Sequence, residues 1–404
     1  MLSAVVAALA VAQGAFAHEH VMHRRLEGEG DAAWHHPRDH PISQLFKRSF
    51  PTDGATYPTV GSSAWIASFP SGDATPTSVP AAWTSALAVA RAEGKIPALS
   101  KVPVATMGSD GNPQYSTGDP NSASSVCSVT YGCQLDTQLW DAPDGVLGIS
   151  FDDGPLPESS PALYSFLTEH GIPATHFFIG ANILWNSDEF SAAYATGGDL
   201  AVHTWTHPYM TTLTDAQVLA ELGWTMQIIH DSSGGRVPRF WRPPYGDTDA
   251  RVTAIASAVF GLKTVIWNHD SDDWAITSAS EQTTAENNIK SWYQGSQSPG
   301  LIILEHELRD YTVNTFMDTW SYAVAAGWTV KSVAELDGTN KPYQNAVGPT
   351  GAVTSQAVVT AATKTTATTK ATSTTTTKVT TTSAAATCGV KRRYSGAYQR
   401  RSSL

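Results

Sequence analysis

Five short polar clusters in the middle of the chain contain the residue types that metal-assisted hydrolysis needs. They are Asp152-Asp153-Gly154-Pro155, His203-Thr204-Trp205-Thr206-His207, Arg242-Pro243-Pro244-Tyr245-Gly246, Asp270-Ser271-Asp272-Asp273-Trp274 and Glu305-His306. One carboxylate and two imidazoles make a three-ligand metal site that leaves a position open for water. A second carboxylate can act as a base toward that water, and a further histidine can protonate a leaving amine. An arginine beside the base orients it and keeps it ionised.

Each cluster alone also has an ordinary structural interpretation. Adjacent aspartates before a glycine are often a turn, and His203 and His207 could be a structural pair between a strand and a helix. An Arg-Pro-Pro sequence is usually a rigid loop, and His306 alone is more typical of a buried, hydrogen-bonded histidine. All five clusters, however, directly follow predicted strands. The carboxyl ends of parallel strands in an α/β barrel share one rim, where active sites are built.

The elements that must position these clusters are visible as alternating strand and helix patterns. Buried strands are predicted at 146–151, 174–179, 200–202, 239–241, 264–267, 301–304 and 328–330. Helices are predicted at 160–170, from the capping box at 214–217 onward, and at 249–259, 281–293 and 315–326. Strands that alternate with helices over about 200 residues predict a parallel sheet, either open or closed into a barrel.

Composition and charge narrow the class of protein. The chain has 404 residues, of which 41% are hydrophobic and 15% are charged, so it can form a core and wholesale disorder is excluded. The net charge of −11 argues against a nucleic-acid partner held by phosphate contacts. Three cysteines are too few for a disulfide scaffold or a cysteine zinc cluster.

The segments that flank the central domain indicate secretion. Residues 1–17 form an apolar run that ends in a small-x-small pattern, which predicts a signal peptide; a membrane anchor is the alternative, but the run is short for one. No later stretch could form a transmembrane anchor. Residues 18–50 contain six histidines and two dibasic pairs, which favours a removable pro-segment over a metal-binding tract. We therefore expect the protein to be extracellular or in a cell wall.

Two further segments are predicted from composition. Residues 51–143, rich in Pro, Ser, Thr and Gly, are expected to be an N-terminal extension that packs on the main domain, with one helix at 81–93. Residues 341–404 turn to Thr, Ala and Lys and are expected to form a disordered, O-glycosylated tail that could associate with the wall. An oxidising compartment makes a disulfide between Cys127 and Cys133 plausible and leaves Cys388 unpaired.

As an ordered set, the motifs resemble those of the polysaccharide deacetylases, carbohydrate esterase family 4, with the NodB-homology fold. The matching segments are Ser150-Phe151-Asp152-Asp153-Gly154-Pro155, His203-x-x-x-His207, Arg242-x-Pro244-x-Gly246, Asp270-x-x-Asp273-Trp274 and Leu304-x-His306. The resemblance covers roughly residues 145–335, about half of the chain. It implies an α/β fold, a distorted (β/α) barrel, for a catalytic domain at 144–340. Together with the flanking segments, it looks most like a fungal chitin deacetylase.

The resemblance also implies a role for each matching residue. Asp153, His203 and His207 would bind a divalent metal, zinc or cobalt, and Asp152 would be the general base. The other implied roles are salt-bridging of Asp152 by Arg242, an oxyanion-hole N–H from Tyr245, general acid catalysis by His306, tuning of that acid by Asp273, and an acetyl pocket lined by Trp274 and Leu304. The implied reaction removes N-acetyl groups from N-acetylglucosamine residues in chitin or partly acetylated chitosan, as polymer or oligomers, and releases acetate.

Several alternatives differ in class. A deacetylase of another acetylated glycan, such as peptidoglycan or xylan, would use the same site. A chitinase would need a separated carboxylate pair and would leave the two histidines without a role. Neither a serine-esterase elbow nor a His-Glu-x-x-His peptidase motif is present. A catalytically inactive wall protein could bind sugar through exposed aromatics such as Trp185, Trp205 and Trp274.

Overall fold

The computed structural model describes residues 50–359 of the chain. The predicted signal peptide, all but the last residue of the predicted pro-segment, Cys388 and the Thr-rich run at 363–387 lie outside the described residues. Ten strands are present in the described part: β1 (Thr106–Met107), β2 (Pro113–Gln114), β3 (Val146–Asp152), β4 (Thr175–Phe178), β5 (Asp199–Val202), β6 (Phe240–Trp241), β7 (Lys263–Thr264), β8 (His269–Asp270), β9 (Leu301–Leu304) and β10 (Thr329–Ser332).

Nine α-helices accompany these strands between residues 50 and 359. They are α1 (Ser63–Ile66), α2 (Ala81–Ala92), α3 (Ser160–His170), α4 (Gly180–Trp185), α5 (Ser187–Thr196), α6 (Asp215–Ser232), α7 (Ala250–Phe260), α8 (Ala279–Tyr293) and α9 (Asp310–Ala326). The predicted helix boundaries are close to these, except that α9 begins five residues before the predicted start at 315; the sequence does not predict α1, α4 or α5. None of these helices combines the length and hydropathy that a membrane crossing requires.

The main sheet is parallel, with the strand order β7-β6-β5-β4-β3-β9-β8, and β10 pairs with the first half of β3. Its two outer strands, β7 and β8, are separated by only four residues, 265–268. The chain between them can span at most about 18 Å. Seven strands in a flat sheet would place its edges about 29 Å apart. The sheet must therefore curve back on itself, which confirms the predicted distorted barrel.

Strand β3 lies between β4 and β9 in the sheet and carries the first motif. All seven of its residues are buried, as its nearly uninterrupted apolar sequence predicts for a strand covered on both faces. Phe151 packs edge-on against Phe316 of α9, with ring centroids 4.9 Å apart. At Gly148 a Cβ would lie 2.6 Å from a side-chain carbon of Leu336, so glycine is required there for close packing. Asp152 is the last residue of this buried strand, so its position at the carboxyl end of the sheet is fixed by the packing of β3.

Local sequence signals explain where the neighbouring helices begin and end. Thr214 caps α6 through a capping box with Gln217, and Asp249 caps α7 by accepting a hydrogen bond from Val252 N. Helix α3 has Pro161 in its first turn and ends at Gly171, whose φ of 64° lies in the left-handed region. These are the boundaries that the sequence predicts.

The N-terminal extension packs on the barrel through large aromatic side chains. Trp65 and Trp83 are buried in the main core. Trp83 contacts Phe260 of α7 and lies against Gly223 of α6, where a Cβ would come within 2.3 Å of its ring. Asp215 at the start of α6 forms an ion pair with Arg91 of α2. The extension is therefore part of the same packed unit as the barrel.

Ordered packing also continues beyond residue 340, where the sequence analysis placed the end of the catalytic domain. Tyr343 is fully buried, and its hydroxyl accepts a hydrogen bond from Leu200 N at 3.1 Å. The buried Arg236 guanidinium donates to the carbonyls of Pro349 (2.7 Å) and Gly351 (3.1 Å). The first part of the predicted disordered tail, residues 341–359, is thus packed against the barrel, because backbone carbonyls satisfy a buried cation there.

Candidate active site

Asp153, His203 and His207 come together at the carboxyl ends of β3 and β5. Their ligand atoms all lie within 4.8 Å of one another, and the three side chains are buried. Asp153 Oδ1 lies 3.1 Å from His203 Nε2 and 3.2 Å from His207 Nε2. Within the described residues, these form the single cluster with the composition and spacing of a metal site.

The donor atoms of this cluster are prepared for a cation. His203 Nδ1 lies 2.8 Å from the carbonyl oxygen of Arg242, which can only accept, so Nδ1 carries a proton and Nε2 is the nitrogen available to a metal. Burial alone would raise the pKa of Asp153, but His207 and His203 beside it hold that pKa well below its usual range. Asp153 Oδ1 accepts no well-formed hydrogen bond although it is buried. One carboxylate and two imidazole nitrogens therefore fit a divalent metal.

The loop that carries the two histidines is held by Glu221, a buried residue of α6. Its Oε2 accepts hydrogen bonds from Trp205 N (2.7 Å) and Thr206 N (2.8 Å), and its Oε1 accepts from Thr206 Oγ1 (2.7 Å). Burial raises the pKa of Glu221, and the donors of the loop oppose that effect. His207 N also donates to Thr204 Oγ1 at 3.0 Å. The loop is thus fixed from inside the protein.

Asp152, the predicted base, lies next to this cluster and is paired with Arg242. The Arg242 Nη1 donates to Asp152 Oδ1 at 2.6 Å, and its Nη2 donates to Ser150 Oγ at 3.0 Å. The guanidinium is fully buried and lies 4.4 Å from the centroid of the Phe177 ring. The other Asp152 oxygen, Oδ2, lies 3.9 Å from His203 Nε2. One carboxylate oxygen is therefore held by the arginine while the other faces the metal ligands.

His306, the predicted acid, approaches the cluster from β9. Its Nδ1 lies 2.6 Å from Asp273 Oδ1, its backbone N donates to Asp273 Oδ2 at 2.8 Å, and its Nε2 lies 3.9 Å from Asp153 Oδ2. Burial lowers the pKa of His306, but Asp273 and then Asp153 and Asp152 raise it to about 10. The imidazole is thus a proton donor aimed at the predicted metal site.

Backbone pairing brings the base and the acid to the same place. Asp152 N donates to Glu305 O, and Glu307 N donates to Asp152 O, both at 3.0 Å. These bonds continue the pairing of β3 with the chain of β9 past Leu304, the last residue of β9, so that Asp152 and His306 lie side by side. The register of one parallel pair therefore sets the distance between two reacting groups.

The residues predicted to line the acetyl pocket and the oxyanion hole differ in how deeply they are buried. Leu304 ends β9 and is buried, and Trp274 is half-buried in the turn that follows Asp273. Tyr245 is half-buried, with its ring stacked on Tyr209 (centroids 4.1 Å apart) and edge-on to His207 (4.7 Å). Trp205, named above as a possible exposed sugar-binding aromatic, is fully buried instead, and its Nε1 donates to Ser71 O of the extension.

Cys127 and Cys133 form a disulfide.

Several residues that support the site were not found from the sequence. Besides Glu221, a buried network lies beneath the acid: Glu307 contacts His176 Nδ1 through Oε1 (2.9 Å) and accepts from Ser160 Oγ through Oε2 (2.5 Å). At Gly154 a Cβ would lie 2.3 Å from the Glu307 carboxyl carbon. A charged residue at a buried position of a helix or strand is a signal that could have identified Glu221.

Comparisons with known proteins show which proteins the chain is similar to. Residues 141–265 match the family model of polysaccharide deacetylases, which includes the first three motifs. The chain is 42% identical over 334 residues to chitin deacetylase 3 of Cryptococcus neoformans, covering 81% of this chain and 78% of that protein. It is 36% identical over 201 residues to the chitin deacetylase of Amylomyces rouxii, covering 48% and 47% of the two chains. The solved chitin deacetylase of Colletotrichum lindemuthianum aligns with a TM-score of 0.47 and 22% identity, over 51% of this chain and 94% of that one.

Proposed function

The chain belongs to the polysaccharide deacetylase family, carbohydrate esterase family 4, and we propose that it is a secreted, metal-dependent chitin deacetylase. The reaction would hydrolyse the N-acetyl groups of N-acetylglucosamine residues in chitin, giving chitosan and acetate. The observation that carries this proposal is the Asp153–His203–His207 cluster with Asp152 and His306 beside it. The substrate class is supported by the relatives, which are named chitin deacetylases.

A divalent cation, for which we propose zinc or cobalt, would be held by Asp153, His203 and His207 and would supply Lewis-acid stabilisation of the amide oxygen. Asp152 takes a proton from the attacking water through the oxygen that faces the cluster. Arg242 donates a hydrogen bond to the other oxygen of Asp152. The base is therefore oriented before substrate binds.

The second half of the reaction needs an acid, because an amine leaves poorly unless it is protonated. His306 supplies a proton from Nε2 to the amide nitrogen as the carbon–nitrogen bond breaks. Asp273 holds Nδ1 and stabilises the imidazolium before that transfer. The backbone N–H of Tyr245 is proposed to stabilise the negative charge on the oxygen, a contribution of about 3 kcal/mol for such a donor. Water and the amide are consumed, and acetate and a free amine are formed.

Secretion and a wall location follow only from the sequence of the termini and remain part of the proposal. Residues 1–17 would direct export, and the tail predicted at 341–404 would associate the enzyme with the wall through its Thr-rich part. Export into an oxidising compartment is consistent with the disulfide between Cys127 and Cys133. Mass spectrometry of the protein recovered from culture medium would test the cleavage site after Ala17.

The test of the activity is acetate release from chitin oligomers by the purified full-length secreted protein. Release should stop on chelation and return when zinc or cobalt is added back. Asp152→Asn serves as the matched control, because it should retain the metal and lose turnover. An enzyme that holds stoichiometric metal but releases acetate only from another acetylated glycan would refute chitin as the substrate. Release from no glycan at all would favour the binding-protein alternative.

A further inference from the structure

The disulfide loop of the N-terminal extension, residues 126–133, lies against the turn that carries Tyr245, residues 243–250. Two backbone hydrogen bonds join them: Val129 N donates to Thr248 O, and Ala250 N donates to Val126 O, both at 3.0 Å. The disulfide loop is therefore bonded to the second half of the turn at Thr248 and at Ala250. The family model begins at residue 141, so the disulfide loop lies outside the segment that it matches.

Side chains add a second set of bonds at the same contact. Thr130 Oγ1 donates to Asp247 Oδ1 at 3.2 Å, and Tyr115 OH donates to Asp249 Oδ2 at 3.3 Å. Both aspartates are fully buried. A buried carboxylate is costly unless it is hydrogen-bonded, so these donors help to stabilise the two aspartates.

Asp247 also connects the turn to the loop of the second predicted metal ligand. Its Oδ2 accepts from Thr211 N at 2.8 Å, and its carboxylate lies 2.9–3.0 Å from Thr211 Oγ1. Thr211 is four residues after His207. One carboxylate therefore ties together the disulfide loop, the Tyr245 turn and the segment that follows the metal ligand.

The turn needs such support because its backbone is strained. Tyr245 has a φ of 59° and Gly246 a φ of 67°, both in the left-handed region. That region costs a residue with a side chain about 1–2 kcal/mol, and glycine tolerates it. A strained residue keeps its conformation only when its surroundings over-determine it. The direction of the Tyr245 N–H depends on that conformation.

We propose that Asp247 and Thr130 are positioning residues for catalysis, through which the disulfide loop of the extension holds the Tyr245 N–H in its active direction. The inference rests on the proposed function, since that N–H is the proposed oxyanion donor. It makes the N-terminal extension a working part of the catalytic unit. Neither residue touches the reacting atoms; both act through the turn.

The test uses substitutions at two half-buried residues of the disulfide loop, Thr130 and Tyr131, in the full-length secreted protein. Thr130→Val keeps the shape of the side chain but removes its donor to Asp247. Thr130→Ser keeps a hydroxyl and is the rescue variant. Tyr131→Phe is the matched control, because the Tyr131 hydroxyl donates to Pro113 O within the extension and does not reach the turn. Acetate release, metal content, thermal stability and amide hydrogen exchange across residues 243–250 are measured for each.

For Thr130→Val we expect kcat and kcat/KM to fall together by about tenfold, equivalent to about 1.4 kcal/mol of lost transition-state stabilisation. Metal content should be unchanged, and amide exchange in the turn should accelerate. Thr130→Ser should restore most of the rate, and Tyr131→Phe should stay within about twofold of the wild type in kcat.

A Thr130→Val enzyme with wild-type kcat would overturn the proposal. So would equal losses of kcat in Thr130→Val and Tyr131→Phe, because that result indicates general destabilisation. If the wild type releases no acetate, the proposed function fails, and unchanged amide exchange in Thr130→Val would then reject the holding role of the loop separately.

Discussion

Glu221 supports the predicted metal site without being one of its predicted ligands, so a substitution there separates the two roles. It touches none of the three predicted ligands, yet it accepts three hydrogen bonds from the loop between His203 and His207. Glu221→Ala removes all three acceptor contacts and leaves the buried N–H of Trp205 without this partner. We expect the loop to lose its fixed geometry, and with it the preformed arrangement of the two imidazoles.

The expected magnitude follows from the type of these bonds. A hydrogen bond to a charged group contributes about 1.5–3 kcal/mol, so three amount to about 5–9 kcal/mol. The cost of burying the carboxylate, visible in the raised pKa of Glu221, offsets part of that sum. We therefore expect Glu221→Ala to lower the free energy of unfolding by about 3–5 kcal/mol. Loss of a group that orients ligands typically weakens metal affinity by about 10- to 100-fold.

The assay is a metal titration in competition with a chromophoric chelator, with urea unfolding measured alongside. Glu221→Gln should weaken the metal affinity by less than about tenfold, because an amide can still accept from both backbone N–H groups. Thr206→Val is the matched control: it removes one hydroxyl donor and should change the affinity by no more than about threefold. A folded Glu221→Ala protein that binds metal as tightly as the wild type would refute the reasoning.

Three further perturbations test other parts of the site and the fold. Asp152→Asn should keep the fold and the metal content and lower kcat by about 100-fold or more, since it removes the base; acetate release at the wild-type rate would exclude Asp152 as the base. Asp273→Asn should lower the pKa of His306 from about 10, so the alkaline limb of the kcat profile should move down by about 1–2 pH units. The adjacent exposed Asp272→Asn should leave that limb in place, and a limb unmoved in Asp273→Asn would contradict the assignment. Burial raises the pKa of Asp199 to about 7; the hydrogen bond from Ser332 opposes the shift and the charge of Glu335 adds to it. The raised pKa means that Asp199 contributes its full stabilisation of the fold below pH 4, and that this stabilisation is lost as pH rises through 7. In urea unfolding, the stability of Asp199→Asn relative to the wild type should therefore be higher at pH 8 than at pH 5. An equal difference between the two proteins at both pH values would count against the raised pKa of Asp199.

The alternation of strands and helices along the chain and the motif residues could be predicted because burial and chemistry leave local marks in the sequence. Strand β3 is apolar along its length and stops at the residue where charge begins. Helix α4 left no such mark, because five of its six residues are buried and no polar face alternates with an apolar one. Periodicity cannot reveal a helix that is covered on every side.

Strand β7 shows a different reason for a partial miss. The apolar run at 264–267 predicts a strand, but the observed strand is Lys263–Thr264. Val265 N still donates to Trp241 O of β6 (2.9 Å), and the following residues also pair with the extension, where Leu139 N donates to Thr264 O (2.9 Å) and Ile266 N donates to Leu139 O (2.8 Å). The extension segment lacks a strand-like pattern of its own. A long-range partner of that kind cannot be read from local sequence.

The same separation between local and long-range signals holds at the active site. Seven described residues other than glycine have positive φ, and five of them belong to the motifs: Asp153, Thr204, His207, Tyr245 and Asp272. Each such residue costs about 1–3 kcal/mol, so together they could cost about 5–15 kcal/mol, as much as the net stability of a whole domain. Residues outside the motifs must therefore offset that cost. Glu221 does so by accepting hydrogen bonds from the loop between His203 and His207, and Asp247, two residues after Tyr245, does so by bonding its own turn to Thr211. It follows that transplanting the five motifs without those two carboxylates should yield a scaffold that has every reacting group and little activity.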